Sequence, residues 1–288
     1  KKQVKGMSRS YRGFNSWFLR NGNPPVISDS LQINRSVNSL HKYFLSKGFF
    51  DSNVTFKEHK KNNKRSIVDY VIKTNEPYYI DTISTSIDSP ILDSIYRANV
   101  DKSLLVSGDK IDYENFENEE SRLITLFRNS GVYHFSNNLI EYWIDSLSPS
   151  HHKKIMLKIP DRVVEEGDSI FSTPFKILKV KKININTDYS FVLKNQKPTD
   201  SATYKGYNFY ANDKLKYNPK YLANAIIIQP DSIYRDSERD VTRRYMRELQ
   251  NFRPSVDIKY VENDDESLTA NIYLTPLKKY SLNFDTEF

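Results

Sequence analysis

The sequence contains no cysteine and, across 288 residues, only 8 glycines, 12 prolines, 3 methionines and 2 tryptophans. Without cysteine there is no disulfide, no thiol nucleophile and no thiolate metal site, and the redox compartment is left open. Scarce glycine argues against a phosphate cradle, and none of the patterns G-x-x-x-x-G-K, G-x-G-x-x-G or G-x-S-x-G occurs. No run of about 18 apolar residues is present, so no segment reads as a membrane-spanning helix. The start at Lys1-Lys2-Gln3, with no apolar stretch behind it, fits either a cytosolic protein or a trimmed mature one.

Histidines are few: His41, His59, His134 and the adjacent His151 and His152. Neighbours in a strand point to opposite sides, so the pair pre-forms no metal site and reads as an exposed loop. His41 falls on the polar side of its helix. Asp264-Asp265-Glu266 lacks the ligand spacing of a calcium loop and reads as a polar turn. These residues predict no enzyme, no metal site and no cofactor.

The remaining composition supports folded cores: 38% of residues are hydrophobic and 13% aromatic, and the length suits two or three domains. The net charge of +7 is unevenly spread. Residues 1–75 carry 15 basic and 4 acidic groups, residues 76–160 carry 8 and 13, and residues 161–288 carry 20 and 19. A basic face at one end needs no nucleic acid to explain it. Tyr11, Phe14, Trp17 and Phe18 among Arg9, Arg12 and Arg20 offer stacking and phosphate contacts, the basis of an alternative reading as a nucleic-acid-binding or scaffold protein. Their i, i+3, i+4 spacing is more simply the buried face of a helix, and no nucleic-acid partner is predicted.

A repeated unit organises the chain. Ile33, Val37, Leu40 and Phe44 mark one face of a helix that Gly48 ends. A run with Val54 and Phe56, a turn at Lys60–Asn63, and alternating Val68, Tyr70 and Ile72 follow as a hairpin. The order returns with Phe116, Leu123 and Phe127, Gly131, then Ile140, Tyr142 and Ile144, and Ile155, Leu157 and Ile159. It returns again with a helix starting at Ser237 and carrying Val241, Tyr245, Leu249 and Phe252. There Arg253-Pro254 replaces the terminating glycine, and strands carry Val256, Ile258 and Tyr260, then Leu268, Ala270, Ile272 and Leu274.

The later copies open on strands with Tyr78, Ile80 and Ile83, and with Phe175, Ile177 and Val180. Short helices follow, at Ile91–Ile95 and after an Asn218-Pro219 cap. The unit is therefore strand–helix–helix–strand–strand, a two-layer α+β domain. In the first copy helices at Phe14–Leu19 and 31–47 lack a clear leading strand, which is either upstream or degenerate.

This tandem order resembles the POTRA arrays that precede the barrels of BamA/TamA-like outer-membrane assembly proteins, and its details resemble the Bacteroidetes branch called TamL. The resemblance is carried by Asn23-Pro24-Pro25-Val26, Lys47-Gly48-Phe49-Phe50, Gly108-Asp109, Arg128–Phe135, Pro230-Asp231-Ser232-Ile233-Tyr234, with Asp231 where glycine is usual, and Leu274–Lys279. It implies three POTRA-like β-α-α-β-β domains, each a three-stranded mixed sheet covered by two helices, at 1–75, 76–160 and 161–280. Residues 281–288 then lead toward a transmembrane β-barrel absent from this chain.

What the resemblance implies for function is a periplasmic arm attached to the outer membrane. It binds unfolded β-barrel or surface-lipoprotein clients non-catalytically by β-augmentation. Implied partners are its own barrel, an inner-membrane-anchored TamB-like protein or accessory lipoproteins, and membrane headgroups. The second strand of each unit is the implied client-binding edge: Val54, Thr55, Phe56, Lys57 and Glu58; Leu139, Ile140, Glu141 and Tyr142; Val256, Asp257, Ile258 and Lys259. An insertion at 187–217, with Tyr204, Tyr207, Phe209 and Tyr210, is either a hairpin packed on its own unit or a docking surface.

Overall fold

The computed structural model describes residues 29–62, 65–167, 169–190 and 196–277. The predicted helix at Phe14–Leu19, the Asn23–Val26 segment and the expected link toward a barrel at 281–288 lie outside those residues. The chain divides into two units, with the boundary between Tyr78 and Tyr79.

In the first unit, α1 (Ser30–Ser46) starts where the Asp29 carboxylate accepts the Leu31 N–H at 3.2 Å. It ends in a Schellman turn: the Phe49 N–H donates to the Phe44 carbonyl at 2.9 Å and the Gly48 N–H to Leu45 at 3.0 Å. Gly48 supplies the left-handed backbone, with φ of 82°. β1 (Asn53–Asn62) and β2 (Arg65–Lys73) form an antiparallel hairpin. Lys60 and Lys61 stay within β1 across a register shift, so they are not the turn residues the sequence predicts.

The second unit holds two sheets of the same plan. β3 (Tyr79–Ile87) leads through α2 (Pro90–Arg97) and α3 (Tyr113–Asn129) to β4 (Glu141–Ile144) and β5 (His152–Ile159). The strand order is β3-β5-β4, with β3 parallel and β4 antiparallel to β5. A separate hairpin follows, β6 (Arg162–Glu166) with β7 (Ser169–Thr173). The plan then recurs: β8 (Lys179–Asn186), an inserted hairpin of β9 (Asp200–Tyr204) and β10 (Tyr207–Ala211), α4 (Pro219–Ala223), the two-residue β11 (Ser232–Ile233), α5 (Asp236–Glu248), β12 (Asp257–Glu262) and β13 (Leu268–Tyr273). Here the order is β12-β13-β8-β10-β9, and β11 also pairs with β8.

The two sheets agree down to a bulge. In the first, pairing runs from Ile80↔Lys153 to Ile83↔Ile155, one extra residue on β3; in the second it runs from Val180↔Leu268 to Lys182↔Thr269, one extra on β8. Ile80 thus corresponds to Val180 and Ile83 to Ile183. The Gly108 N–H donates to the Ile80 carbonyl at 2.8 Å, and the Asp231 N–H to the Val180 carbonyl at 2.7 Å. Both donors have left-handed backbones, φ of 93° and 60°. Aspartate tolerates that conformation better than most residues, which is how Asp231 stands where glycine is expected.

Several boundaries differ from the sequence reading. Phe175 and Ile177 precede β8, because the β6–β7 hairpin and Pro174 occupy the approach. Phe175 is buried in the core of the preceding sheet, 5.7 Å from the Phe135 ring, and its N–H donates to Ser89 Oγ at 3.0 Å. β4 starts only at Glu141, since Asn137–Leu139 closes a 3-10 turn, so Leu139 and Ile140 are not strand residues. Val256 likewise precedes β12 and is buried. α5 begins at Asp236, so Ser237 is not its cap, and its buried stripe is Thr242 and Met246, displaced by one from Val241 and Tyr245. The missing glycine after α5 is replaced at the equivalent position by Gln250, which takes φ of 54°.

Candidate strand-docking site

The sequence nominates edge strands, and what decides an edge is which backbone groups face away from the sheet. In antiparallel pairing, residues alternate between facing the partner and facing out. The Asp145 N–H donates to the Lys154 carbonyl at 3.0 Å, so Asp145, Trp143 and Glu141 face β5, while Tyr142 and Ile144 point their N–H and C=O groups outward. No strand covers them among the described residues. Trp143 stands beside this edge, 53% exposed, with the Lys158 ammonium 4.7 Å from its ring centre. The Tyr142 ring turns inward, edge-on to Phe116 at 4.9 Å.

β12 has the same position in its sheet but a different edge. The Asn263 N–H donates to the Ser267 carbonyl at 2.8 Å, which leaves Val256, Ile258, Tyr260 and Glu262 facing outward. Arg243 Nε donates to the Val256 carbonyl at 3.3 Å and the Tyr133 hydroxyl to the Tyr260 carbonyl at 3.4 Å. His134 Nε2 lies 2.9 Å from the Glu262 carboxylate. Asp257 and Lys259 face β13 with their backbones and pair with each other at 3.1 Å. The nominated edge of the last sheet is therefore capped by side chains, leaving Ile258 as its uncapped centre.

In the first unit, Val54 is buried, Phe56 is 39% exposed, and Thr55, Lys57 and Glu58 are exposed, Glu58 on the same face as Val54 and Phe56. The insertion at 187–217 forms a hairpin that widens the sheet: β10 runs parallel to β8 and antiparallel to β9. Tyr207 and Phe209 are buried in the sheet's core, and the Tyr207 hydroxyl donates to the Ile228 carbonyl at 3.0 Å. They are not a docking surface. Tyr204 and Tyr210 remain half-buried.

The caps on β12 belong to a joint between the two sheets that single-residue motif reading missed. Arg128, in the last turn of α3, donates to the Tyr133 and Phe135 carbonyls at 2.9 and 3.0 Å, to the Tyr234 hydroxyl at 2.7 Å and to the Asp236 carboxylate at 3.0 Å. Tyr234 in turn donates to Asp236 at 2.6 Å. Burial acts to raise the Asp236 carboxyl, but hydrogen bonds from Arg128 and Tyr234 and the charges of Arg128 and Arg239 outweigh it, so its pKa falls. Burial pushes the Tyr234 phenol up. Tyr133, Tyr234 and Tyr260 meet edge to face or tilted, with centroids 5.0–5.8 Å apart. The Arg128–Phe135 block, one of those that carry the family resemblance, was the available signal. A cavity of about 460 Å³ opens beside these groups, lined by Arg128, Tyr133, His134, Arg239, Lys259 and Tyr260.

No family model matches the sequence, and no curated protein does. Among solved structures, POTRA domains 3–5 of BamA from Haemophilus influenzae align with a TM-score of 0.44 at 10% identity, over 94% of this chain and 92% of that one. BamA from Haemophilus ducreyi lacking POTRA domains 1–3 gives 0.44 at 12% identity, over 69% and 30%. The N-terminal domain of Omp85 from Thermosynechococcus elongatus gives 0.28 at 10%, over 96% and 95%.

Among the described residues no helix is long and apolar enough to cross a membrane, and no three histidine or carboxylate groups gather as a metal would need.

Proposed function

We propose that this chain is the periplasmic, non-catalytic binding arm of an outer-membrane β-barrel insertase or translocation-assembly protein of the TamL type. It comprises three POTRA-like units at 1–75, 76–160 and 161–280, and its clients are unfolded barrel or surface-lipoprotein chains held by β-augmentation. Its own barrel, a TamB-like inner-membrane protein or accessory lipoproteins, and lipid headgroups are the further partners. The observation that carries the reading is the recurrence of one mixed three-stranded plan, bulge included, whose second strand is an edge, and whose edge is open at β4. Backbone pairing reads little of a client's side-chain sequence, which suits an arm that serves many different strands.

The test is photo-cross-linking from Trp143 on β4 and from Lys259 on β12 to a denatured outer-membrane barrel protein diluted into buffer. Adducts are expected at position 143, and Ile144→Pro should abolish them, because it removes an outward N–H while the β4–β5 ladder stays intact. Adducts that survive Ile144→Pro in a variant with an unchanged melting temperature would refute β4 as the docking edge.

A further inference from the structure

β8 and β3 are equivalent strands, yet their outer edges are in different states. On β8 the outward groups lie at Ile183, Ile185 and Thr187, since the Thr187 N–H donates to the Tyr210 carbonyl at 2.9 Å while Asn186 faces β13. Those groups take β10 as a parallel neighbour, in the register Tyr207↔Ile183 and Phe209↔Ile185. Under that strand Ile183, Ile185 and Thr187 are 0%, 0% and 1% exposed.

On β3 the Asp88 N–H donates to the Ile159 carbonyl at 3.0 Å, so Ile87, Thr85 and Ile83 face outward by alternation. Among the described residues no strand pairs with them. Ile83 and Ile87 are half-buried and Thr85 is exposed, where their counterparts are sealed. In place of a strand there is a cavity of about 310 Å³, lined by Ile83, Thr85, Tyr96, Val100, Ser103 and Leu105, with Arg97 as its one charged wall. Val100, Leu104 and Val106 expose apolar side chains along the same segment, at 51%, 47% and 52%. The strand's beginning is closed by Gly108, as Asp231 closes β8, so the edge is free only where β10 sits in the other copy.

We infer that the outer edge of β3 at Ile83–Ile87 receives an extended segment of a partner polypeptide, parallel to β3, with alternate aromatic or large apolar side chains entering the Tyr96–Leu105 cavity. The occupant's chemistry is set by the copy in which the edge is filled: Tyr207 and Phe209 project inward at alternate positions, with Asn208 and Tyr210 on the open face. Parallel pairing distinguishes this edge from β4, and the inference does not depend on the outer-membrane reading.

The test uses the full chain and a fluorescent peptide copying residues 205–213, read by anisotropy, with a second version carrying Ala at the positions of Tyr207 and Phe209. Saturable binding is expected, weakened at least tenfold by the double-alanine peptide, by Thr85→Pro, which removes an outward N–H, and by Val100→Trp, which fills the cavity. A nitroxide on the peptide's N-terminus should broaden the Ile83 methyl signals in preference to those of Ile87. Absence of binding, or binding indifferent to both protein variants while their melting temperatures are unchanged, overturns the inference. Broadening centred on Ile87 overturns the parallel register, and broadening centred on Ile144 moves the peptide to β4 and overturns this edge while sustaining that one.

Discussion

Arg128 and Asp236 lie 108 positions apart in sequence and 3.0 Å apart in space, one ending a helix of the first sheet and the other beginning a helix of the second. Their side chains are 19% and 24% exposed, and every nitrogen of Arg128 that makes a bond makes it to the joint. Removing the cation strands a carboxylate in a partly buried site. Arg128→Met should destabilise the protein by about 3–5 kcal/mol, the range for breaking one side of a buried pair. Calorimetry should then resolve separate transitions for the two sheets of the second unit, which in the parent should melt together.

Gly131 makes the same joint from the backbone. A Cβ there would lie 2.6 Å from Ile177 Cγ2 and 2.8 Å from Ile233 Cγ2, and φ is 101°. Gly131→Ala therefore carries about 1–2 kcal/mol of left-handed strain and about 1–3 kcal/mol of overpacking. Ile177→Ala in the same chain should recover part of the second contribution and none of the first, because Ile233 still crowds the added Cβ. Gln250→Gly and Asp231→Gly, at positions with φ of 54° and 60°, should leave chemical-denaturation midpoints unchanged or raised.

The legibility of this fold in its sequence follows the distance over which each signal acts. The faces of α1 and α3, the Gly48 and Gly131 turns and the Asn218-Pro219 cap are local, and they appear where periodicity places them. So does the Leu268–Leu274 alternation, whose four apolar residues are fully buried. Strand starts were read too early at Phe175, Leu139 and Val256. Each precedes its strand yet is apolar and inward, so the alternation extends past the point where pairing begins. The last long helix reads as starting at Ser237, because nothing near it in sequence says that Asp236 opens the helix and is claimed by Arg128. For Tyr207 and Phe209 the sequence leaves a packed hairpin and a docking surface both open, because a parallel pairing with β8 has no local signature.

The buried Glu119 predicts an acid limit within the first sheet of the second unit. It is 1% exposed and accepts from Arg122 Nε and Nη2 at 2.7 and 2.6 Å and from the Leu104 N–H at 2.9 Å. Burial raises its pKa, but Arg122, Leu104 and Ser103 together lower it below the usual value, as Arg128 and Tyr234 do for Asp236. A depressed carboxylate contributes stability that is full above the unfolded-state pKa, about 4 for both residue types, and is lost as pH falls through the folded value. Melting temperature should therefore hold down to about pH 5 and fall steeply below about pH 4. Glu119→Gln should lower the plateau and flatten that fall, measured by thermal melts between pH 3 and 7.

The capped edge of β12 yields a prediction of gain rather than loss. Two of its outward carbonyls, at Val256 and Tyr260, accept from Arg243 and Tyr133, and both caps are side chains that can be removed without touching the strand. Tyr133→Phe keeps the ring against Tyr234 and Tyr260 and loses only the hydroxyl, so the joint should survive. Arg243→Ala frees the other carbonyl and also removes the ion pair to Asp240 at 2.9 Å. That pair is exposed enough that its loss should cost less than about 1 kcal/mol. An edge with its acceptors uncovered pairs more readily with an extended chain. In the cross-linking assay, position 259 should be nearly silent in the parent and should gain adducts several-fold in the double variant, while position 143 stays constant. Equal adducts at 259 in both chains would mean that capping does not control access to β12.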